Sequence, residues 1–166
     1  METEMNRNKT LQLANAGMIA ALYVVLTWIA NLLGLASGAI QVRLSEALTI
    51  LPVFTVAAVP GLTVGCVLAN LLTGCAAWDV VFGSLATLIG AVGTRLLKDK
   101  PLLAWIPPVV SNAAIVPIIL IKVYGVPDAW WFLVLTIGAG EIISCGLLGL
   151  LLWRSLKNIP QIKEMK

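Results

Sequence analysis

The chain has 166 residues, of which 60% are hydrophobic and 11% charged, and its mean hydropathy is +0.98; soluble domains carry about 25% charged residues. That composition excludes a soluble globular protein. At about 20 to 25 residues per span and its connection, the length holds five or six membrane spans and leaves no room for a soluble catalytic domain. With no histidine in the sequence, the usual general base and the commonest metal ligand are both missing.

In chain order, a polar leader, residues 1–12, precedes a first apolar span from Leu13 to Leu35. This stretch is about 20 residues long and more spans follow it, unlike a cleaved signal segment. The next apolar stretch, Leu44 to Val59, is short, and AVPG at Ala58 to Gly61 punctuates it before Leu62 to Thr73. We therefore expect two short helices here, tilted or half-buried. A fourth span begins near Asp79 and ends before RLLKDKP, Arg95 to Pro101. The fifth runs from Leu102 to Tyr124, interrupted by Pro107, Pro108 and Pro117, and the sixth from Ala129 to Trp153. The expected fold is an all-α integral membrane protein of six transmembrane helices. It divides into the leader, a membrane domain at 13–156 and a tail at 157–166.

With six spans, both termini and the connection after the fourth span face one side. They carry Arg7, Lys9, Arg95, Lys98, Lys100, Arg154, Lys157, Lys163 and Lys166, nine of the eleven basic residues. The positive-inside rule makes that side the cytoplasm. Lys122 can snorkel at the outer interface, beside a belt formed by Trp130 and Trp131.

Five other ionisable residues fall outside the cytoplasmic segments: Arg43, Glu46, Asp79, Asp128 and Glu141. Asp128 reads as an N-cap of the sixth span, and Asp79 as either a cap or, with Trp78, Gly83 and Ser84, part of a ligand pocket. Glu141 lies eleven residues beyond Trp130, about 16 Å down a helix and so near mid-membrane. A carboxylate there costs roughly 2.5 to 3.5 kcal/mol on insertion scales and marks a functional site by default. Asn112, twelve residues before Tyr124 on the neighbouring antiparallel span, lies at the same depth and can meet Glu141. Arg43 and Glu46, in QVRLSEALTILPV, share a face at three-residue spacing. They either form an ion pair or line a polar cup with Gln41 and Ser45. Two carboxylates and an amide suit a small planar ligand rich in N–H donors, because a carboxylate accepts two parallel N–H bonds and the second acid can neutralise an alkylamine. The three cysteines, Cys66, Cys75 and Cys145, read as small apolar packing residues.

QVRLSEALTILPVFTVAAVPGLTVGCVLANLL followed by WDVVFGSLATLIG resembles the QueT family, membrane-embedded substrate-binding S components of energy-coupling factor (ECF) transporters associated with queuosine precursors. The resemblance runs from about Leu11 to Leu156. It implies a six-helix S component in a bacterial cytoplasmic membrane that captures a 7-deazaguanine such as preQ1 or queuine from outside. It also implies a transmembrane T component and two cytoplasmic ATPases as partners, the ATPases hydrolysing ATP while this chain holds no cofactor. The family motif carries over to Arg43, Ser45 and Glu46, with Asn70, Asp79, Gly83 and Ser84 in matching stretches; Trp78 can stack on the ring. Consistent with this, GxxxxGK[ST] is absent, so ATP cannot bind here through a Walker loop. In the first span Ala16 and Ala20, and Gly17 and Ala21, form small-residue pairs four apart. Such faces let helices approach closely, either within the bundle or, as the resemblance implies, against the T component. A membrane enzyme would need a nucleophile beside a base or a cluster of metal-binding acids, and the sequence offers neither: Glu141 has no second acid near it in the chain, and Ser45 has no histidine. The open alternatives are an S component for another vitamin or heterocycle, and a stand-alone secondary transporter.

Overall fold

The computed structural model describes residues 2–35 and 41–163, and among them all regular structure is helical. Its main elements are α1 (Glu2–Leu32), a 3-10 helix (Leu44–Val53), α2 (Ala58–Leu72), α3 (Ala77–Leu96), α4 (Ile106–Lys122) and α5 (Trp130–Leu156). The middle of α5 is π-helical over Ile142–Leu148. Four stretches are long and apolar enough to cross a membrane: Arg7–Leu32, Ala77–Leu96, Pro101–Lys122 and Trp130–Leu156. The six expected spans thus become four full-length candidates and two shorter apolar helices.

Two expected boundaries move. The leader is not separate from the first span, because α1 is helical from Glu2. AVPG does not break the chain either: the break falls at residues 54–57, and Pro60 sits in the first turn of α2, where a helix has no use for its missing N–H. Lys166, counted among the basic ends, and residues 36–40 of the first connection lie outside the described residues.

The 3-10 helix runs antiparallel to α1 and α2, which lie parallel to each other. At about 2.0 Å rise per residue its ten residues cover roughly 20 Å, close to what α2 achieves in fifteen at about 1.5 Å. Tighter winding lets a short segment reach from one end of the bundle deep into its interior. It ends at Val53, one residue after Pro52, whose carbonyl accepts a bond from Arg95 Nη1 at 3.0 Å. Around that end Ile50, Val53, Phe54 and Ala104 pack with Leu152, Trp153 and Leu156.

Small residues set the remaining spacings. A Cβ at Gly61 would lie 2.8 Å from the Ala16 carbonyl oxygen, and one at Gly65 would lie 2.8 Å from Tyr23 Cβ and 3.0 Å from Ala20 Cα. α2 therefore lies against α1 nearly backbone to backbone, the mode small-xxx-small faces permit in lipid. α3 likewise buries Gly83, Ser84, Ala86, Thr87, Gly90 and Ala91. A Cβ on Gly90 would meet Pro108 Cα at 2.8 Å, so Pro108, at the start of α4, serves as packing surface rather than as an interruption.

Candidate functional site

A polar cavity of about 550 Å³ opens where α1 and α2 end together. Both helices stop in the same way. Leu35 N–H donates to the Ala30 carbonyl and Gly34 N–H to that of Asn31, while Cys75 N–H donates to Asn70 and Gly74 N–H to Leu71. These are Schellman closures with glycine in the left-handed region, φ 69° at Gly34 and 74° at Gly74. They place Asn31, Asn70, Thr73 and Cys75 on the cavity wall, opposite Gln41, Arg43 and Ser45 from the segment that enters the 3-10 helix. Tyr23, Thr27 and Trp28 of α1 complete it.

Behind that entering segment lies an acidic centre. Ligand-competent atoms of Glu46, Glu141 and Cys145 all lie within 4.8 Å of one another, and all three residues are buried. The Tyr23 hydroxyl donates to Glu46 Oε1, whereas Glu46 Oε2 is buried with no hydrogen-bond partner among the described residues. Cys145 Sγ lies 3.2 Å from Glu141 Oε2, to which it donates, and Thr49 Oγ1 reaches both the Glu46 carbonyl, at 2.6 Å, and Cys145 Sγ, at 3.4 Å. Asn112 is buried beside both carboxylates, as its matching depth with Glu141 predicts. The trio has a spacing that a small cation accepts. Its thiol is already hydrogen-bonded, however, and the positive charge of Arg43 nearby opposes a metal ion.

Two irregular helices make this centre. The 3-10 helix carries Ser45, Glu46 and Thr49, and the π segment of α5 carries Ser144 and Cys145 directly after Glu141. π segments recur at functional sites because their wider turn re-aims side chains. Arg43 is not hydrogen-bonded to Glu46, since one oxygen takes Tyr23 and the other has no partner among the described residues. Neither reading of that pair is seen whole: no bond joins the two among the described residues, and of the expected cup only Gln41, Arg43 and Ser45 line the cavity, while Glu46 lies behind them. Arg43 and Gln41 line both the large cavity and a niche of about 10 Å³ that Glu141 closes from behind.

Other sequence candidates lie elsewhere. Trp78 does not face the cavity: it is exposed, stacks on Phe82 at 5.8 Å, and lines a separate apolar groove with Ile115, Ile118 and Lys122. Asp79 is buried and accepts from the Tyr124 hydroxyl at 3.1 Å; that hydroxyl in turn accepts the Ala76 N–H. It ties the start of α3 to the end of α4. Asn70 Nδ2 donates to the Asp79 carbonyl at 3.4 Å, and Ser84 is buried with its hydroxyl unpartnered among the described residues. Asp128 is not an N-cap, because α5 starts one residue later, with Ala129 as its cap and no side-chain cap bond. Of the small-residue pairs, Ala16 and Ala20 face α2, while nothing lies within 4 Å of a Cβ built on Gly17, and Ala21 is exposed.

Sequence reasoning missed Tyr23, Thr27, Thr49 and Ser144, and it took Cys145 for apolar packing. Tyr23 and Thr27, four apart in the first span, share a helical face, and that pairing was the available signal. Thr49 and Cys145 gave none, because their roles depend on two helices meeting.

Four helical stretches long and apolar enough to cross a membrane, packed around a polar cavity with a buried acid pair behind it, have the make-up of a membrane transport protein. The model of the QueT transporter family matches residues 13–158, and the chain belongs to that family, a multi-pass family of transporters. One relative is the queuosine precursor transporter QueT of Lactococcus lactis subsp. cremoris (strain MG1363), 36% identical over 97 residues. That match spans 58% of this chain and 56% of the relative. No solved structure matches.

Proposed function

We propose that this chain is the substrate-binding S component of an ECF-type importer, and that it captures a queuosine precursor, a 7-deazaguanine such as preQ1 or queuine. The observation that carries this reading is the Glu46 and Glu141 pair, buried one wall away from a cavity of about 550 Å³, within the usual range for small-molecule sites. A guanine-type edge offers the paired N–H donors that a carboxylate accepts in parallel, and an aminomethyl arm brings the positive charge that a second buried acid needs. Two helix C-termini at the cavity mouth favour a cation as well. Substrate contacts are assigned to Arg43 on the cavity wall, with Asn70 at the rim, and to Glu46, Asn112 and Glu141 behind it, which the ligand reaches only when the Gln41 to Arg43 segment shifts; Asp79 and Ser84 support the wall.

Transport then needs a transmembrane T component and two ATPases that hydrolyse ATP, because this sequence lacks a Walker loop. Gly17 and Ala21 lie on the open side of α1, beside a groove of about 600 Å³ that also includes Ala16, Ala20, Val56 and Gly61, and this face is the proposed T-component dock. In this reading the termini and the loop after α3 are cytoplasmic, as their basic residues require.

The test is calorimetric titration of the detergent-purified chain with preQ1, queuine, guanine and riboflavin, on wild type and Glu141→Gln. Selective binding of a deazaguanine, weakened at least about tenfold in the variant, or ~1.4 kcal/mol, is the expected outcome. A folded protein that prefers riboflavin or binds nothing overturns the substrate, and uptake into liposomes by this chain alone overturns the S-component role.

A further inference from the structure

The segment that separates the cavity from the carboxylates is held by a seat on α5. A Cβ on Gly140 would be driven into the Gln41 carbonyl oxygen and would lie 3.0 Å from its carbon and 3.4 Å from its nitrogen. No other residue type lets the Gln41 backbone lie so close to α5. One turn on, Ser144 Oγ accepts the Arg43 N–H at 3.2 Å and donates to the Gly140 carbonyl at 2.9 Å. The seat therefore grips both ends of the tripeptide Gln41 to Arg43, using a glycine at one end and a hydroxyl at the other.

The position of that tripeptide has an electrostatic consequence. Arg43 is the positive charge that acts on both Glu46 and Glu141 and shares a niche with Glu141, yet Glu46 Oε2 has no hydrogen-bond partner among the described residues. The niche between Arg43 and Glu141 is about 10 Å³, room for about one water-sized group. Arg43 thus compensates the acid pair across a gap, without a bond, and the compensation depends on where the seat holds its backbone. At separations of a few ångströms in a poorly solvated interior, small displacements of a charge change such an interaction by large factors.

We propose that Gly140 and Ser144 are specificity-determining positioning residues: they seat Arg43 against the acid pair and so set how much positive charge the bound ligand must bring. This rests on the ligand class proposed above. A methyl group at Gly140 pushes the Gln41 to Arg43 segment off α5 and towards the cavity, leaving Glu46 and Glu141 less compensated. A cationic arm then contributes more to binding than it does in wild type. Ser144→Ala removes only the tether at the Arg43 N–H and acts in the same direction with smaller effect. Gly138, two residues earlier and so on a different face of α5, where an added Cβ would lie 3.9 Å from Ala113 Cβ in ordinary contact, is the control.

The experiment titrates wild type, Gly140→Ala, Ser144→Ala and Gly138→Ala with two ligands that differ only by the cationic amino group, 7-aminomethyl-7-deazaguanine and its neutral 7-methyl analogue. The ratio of the two affinities is expected to rise about tenfold in Gly140→Ala and about threefold in Ser144→Ala, and to stay within about twofold in Gly138→Ala. Equal loss of both affinities in Gly140→Ala, or an unchanged ratio, overturns the proposal, since a purely structural defect does not discriminate by ligand charge. A second readout needs no ligand. Cys75 lines the cavity while Cys66 and Cys145 are buried, so its reaction rates with aminoethyl and sulfonatoethyl methanethiosulfonate report the cavity's potential. Gly140→Ala should shift that rate ratio towards the anionic reagent, as Arg43 leaves the niche beside Glu141, where the cationic arm would sit, and moves into the cavity that Cys75 lines, and Gly138→Ala should not. A shift in protein that binds neither deazaguanine keeps the seat and rejects the ligand class; identical rate ratios in wild type and Gly140→Ala reject the seat.

Discussion

The two sides of α1 bury opposite kinds of surface. Towards α2 it offers Ala16, Ala20 and the stem of Tyr23, against which Gly61 and Gly65 close to backbone distance, and the surrounding core is Ile19, Leu62, Cys66 and Ala69. Towards the 3-10 helix it offers hydroxyls, Tyr23 to Glu46 and Thr27 beside Ser45. Shape fixes the first contact and hydrogen bonding the second. In lipid neither is driven by water leaving apolar surface, because the tails are as apolar as the side chains. The close glycine contact sets the distance at which the polar one can form, and Tyr23 belongs to both.

The largest expected effect breaks the apolar contact and follows its consequence into the polar one. Gly65→Val places a branched side chain where a Cβ alone already meets Tyr23 Cβ at 2.8 Å. Overpacking of this kind costs about 1 to 3 kcal/mol. Because Tyr23 must move, Glu46 loses its donor, so the melting temperature and ligand affinity should fall together in detergent. Gly17→Val, where nothing lies within 4 Å, should melt like wild type. Equal melting of the two variants would mean that α2 does not approach α1 as described.

Tyr23→Phe sharpens the comparison by leaving the apolar contact intact. The ring still packs among Leu62 and Cys66, but the Glu46 carboxylate loses the hydroxyl that donates to it and is left with Asn112 beside it. A buried acceptor stripped of its donor costs about 1 to 3 kcal/mol. Thermal unfolding should register that loss, and calorimetry should register altered ligand affinity, whereas Tyr23→Leu should add a packing loss on top. A Tyr23→Phe protein as stable as wild type would show that the hydroxyl contributes nothing.

What the sequence made legible, and what it did not, divides along the same line. Depth along a helix needs only residue counting, so Glu141 and Asn112 can be matched on adjacent antiparallel spans from the chain alone. Arg43 and Glu46 were legible as a pair because charges are scarce in so apolar a chain. The irregular windings were not: LSEALTILPV and IISCGLL carry no periodicity that distinguishes a 3-10 or π helix from an α-helix, and those windings bring Thr49 to Cys145. Trp78 misled for a related reason, since adjacency in sequence to Asp79 says nothing about which face of α3 a ring takes. Gly140 was unreadable because its significance is the backbone of Gln41, a partner 99 positions away in the chain.

The smallest effect tests whether the polar face is held by its whole network or by Glu46 alone. Thr27 Oγ1 donates to the Tyr23 carbonyl one turn earlier, at 2.8 Å, and lies 2.9 Å from Ser45 Oγ, so the Ser45 hydroxyl can donate to it in turn. Thr27→Val keeps the shape and removes both links. The bond to Tyr23 is local to α1 and contributes little to joining the helices, leaving one interhelical bond, worth on average about 0.6 kcal/mol in membrane proteins. Thermal unfolding should fall by that small amount and deazaguanine affinity should stay within about twofold, because Ser45 can turn its donor towards the cavity it already lines. A loss in Thr27→Val as large as in Tyr23→Phe would mean that Ser45 and Glu46 act as one cooperative unit, and the double variant would then cost no more than either alone.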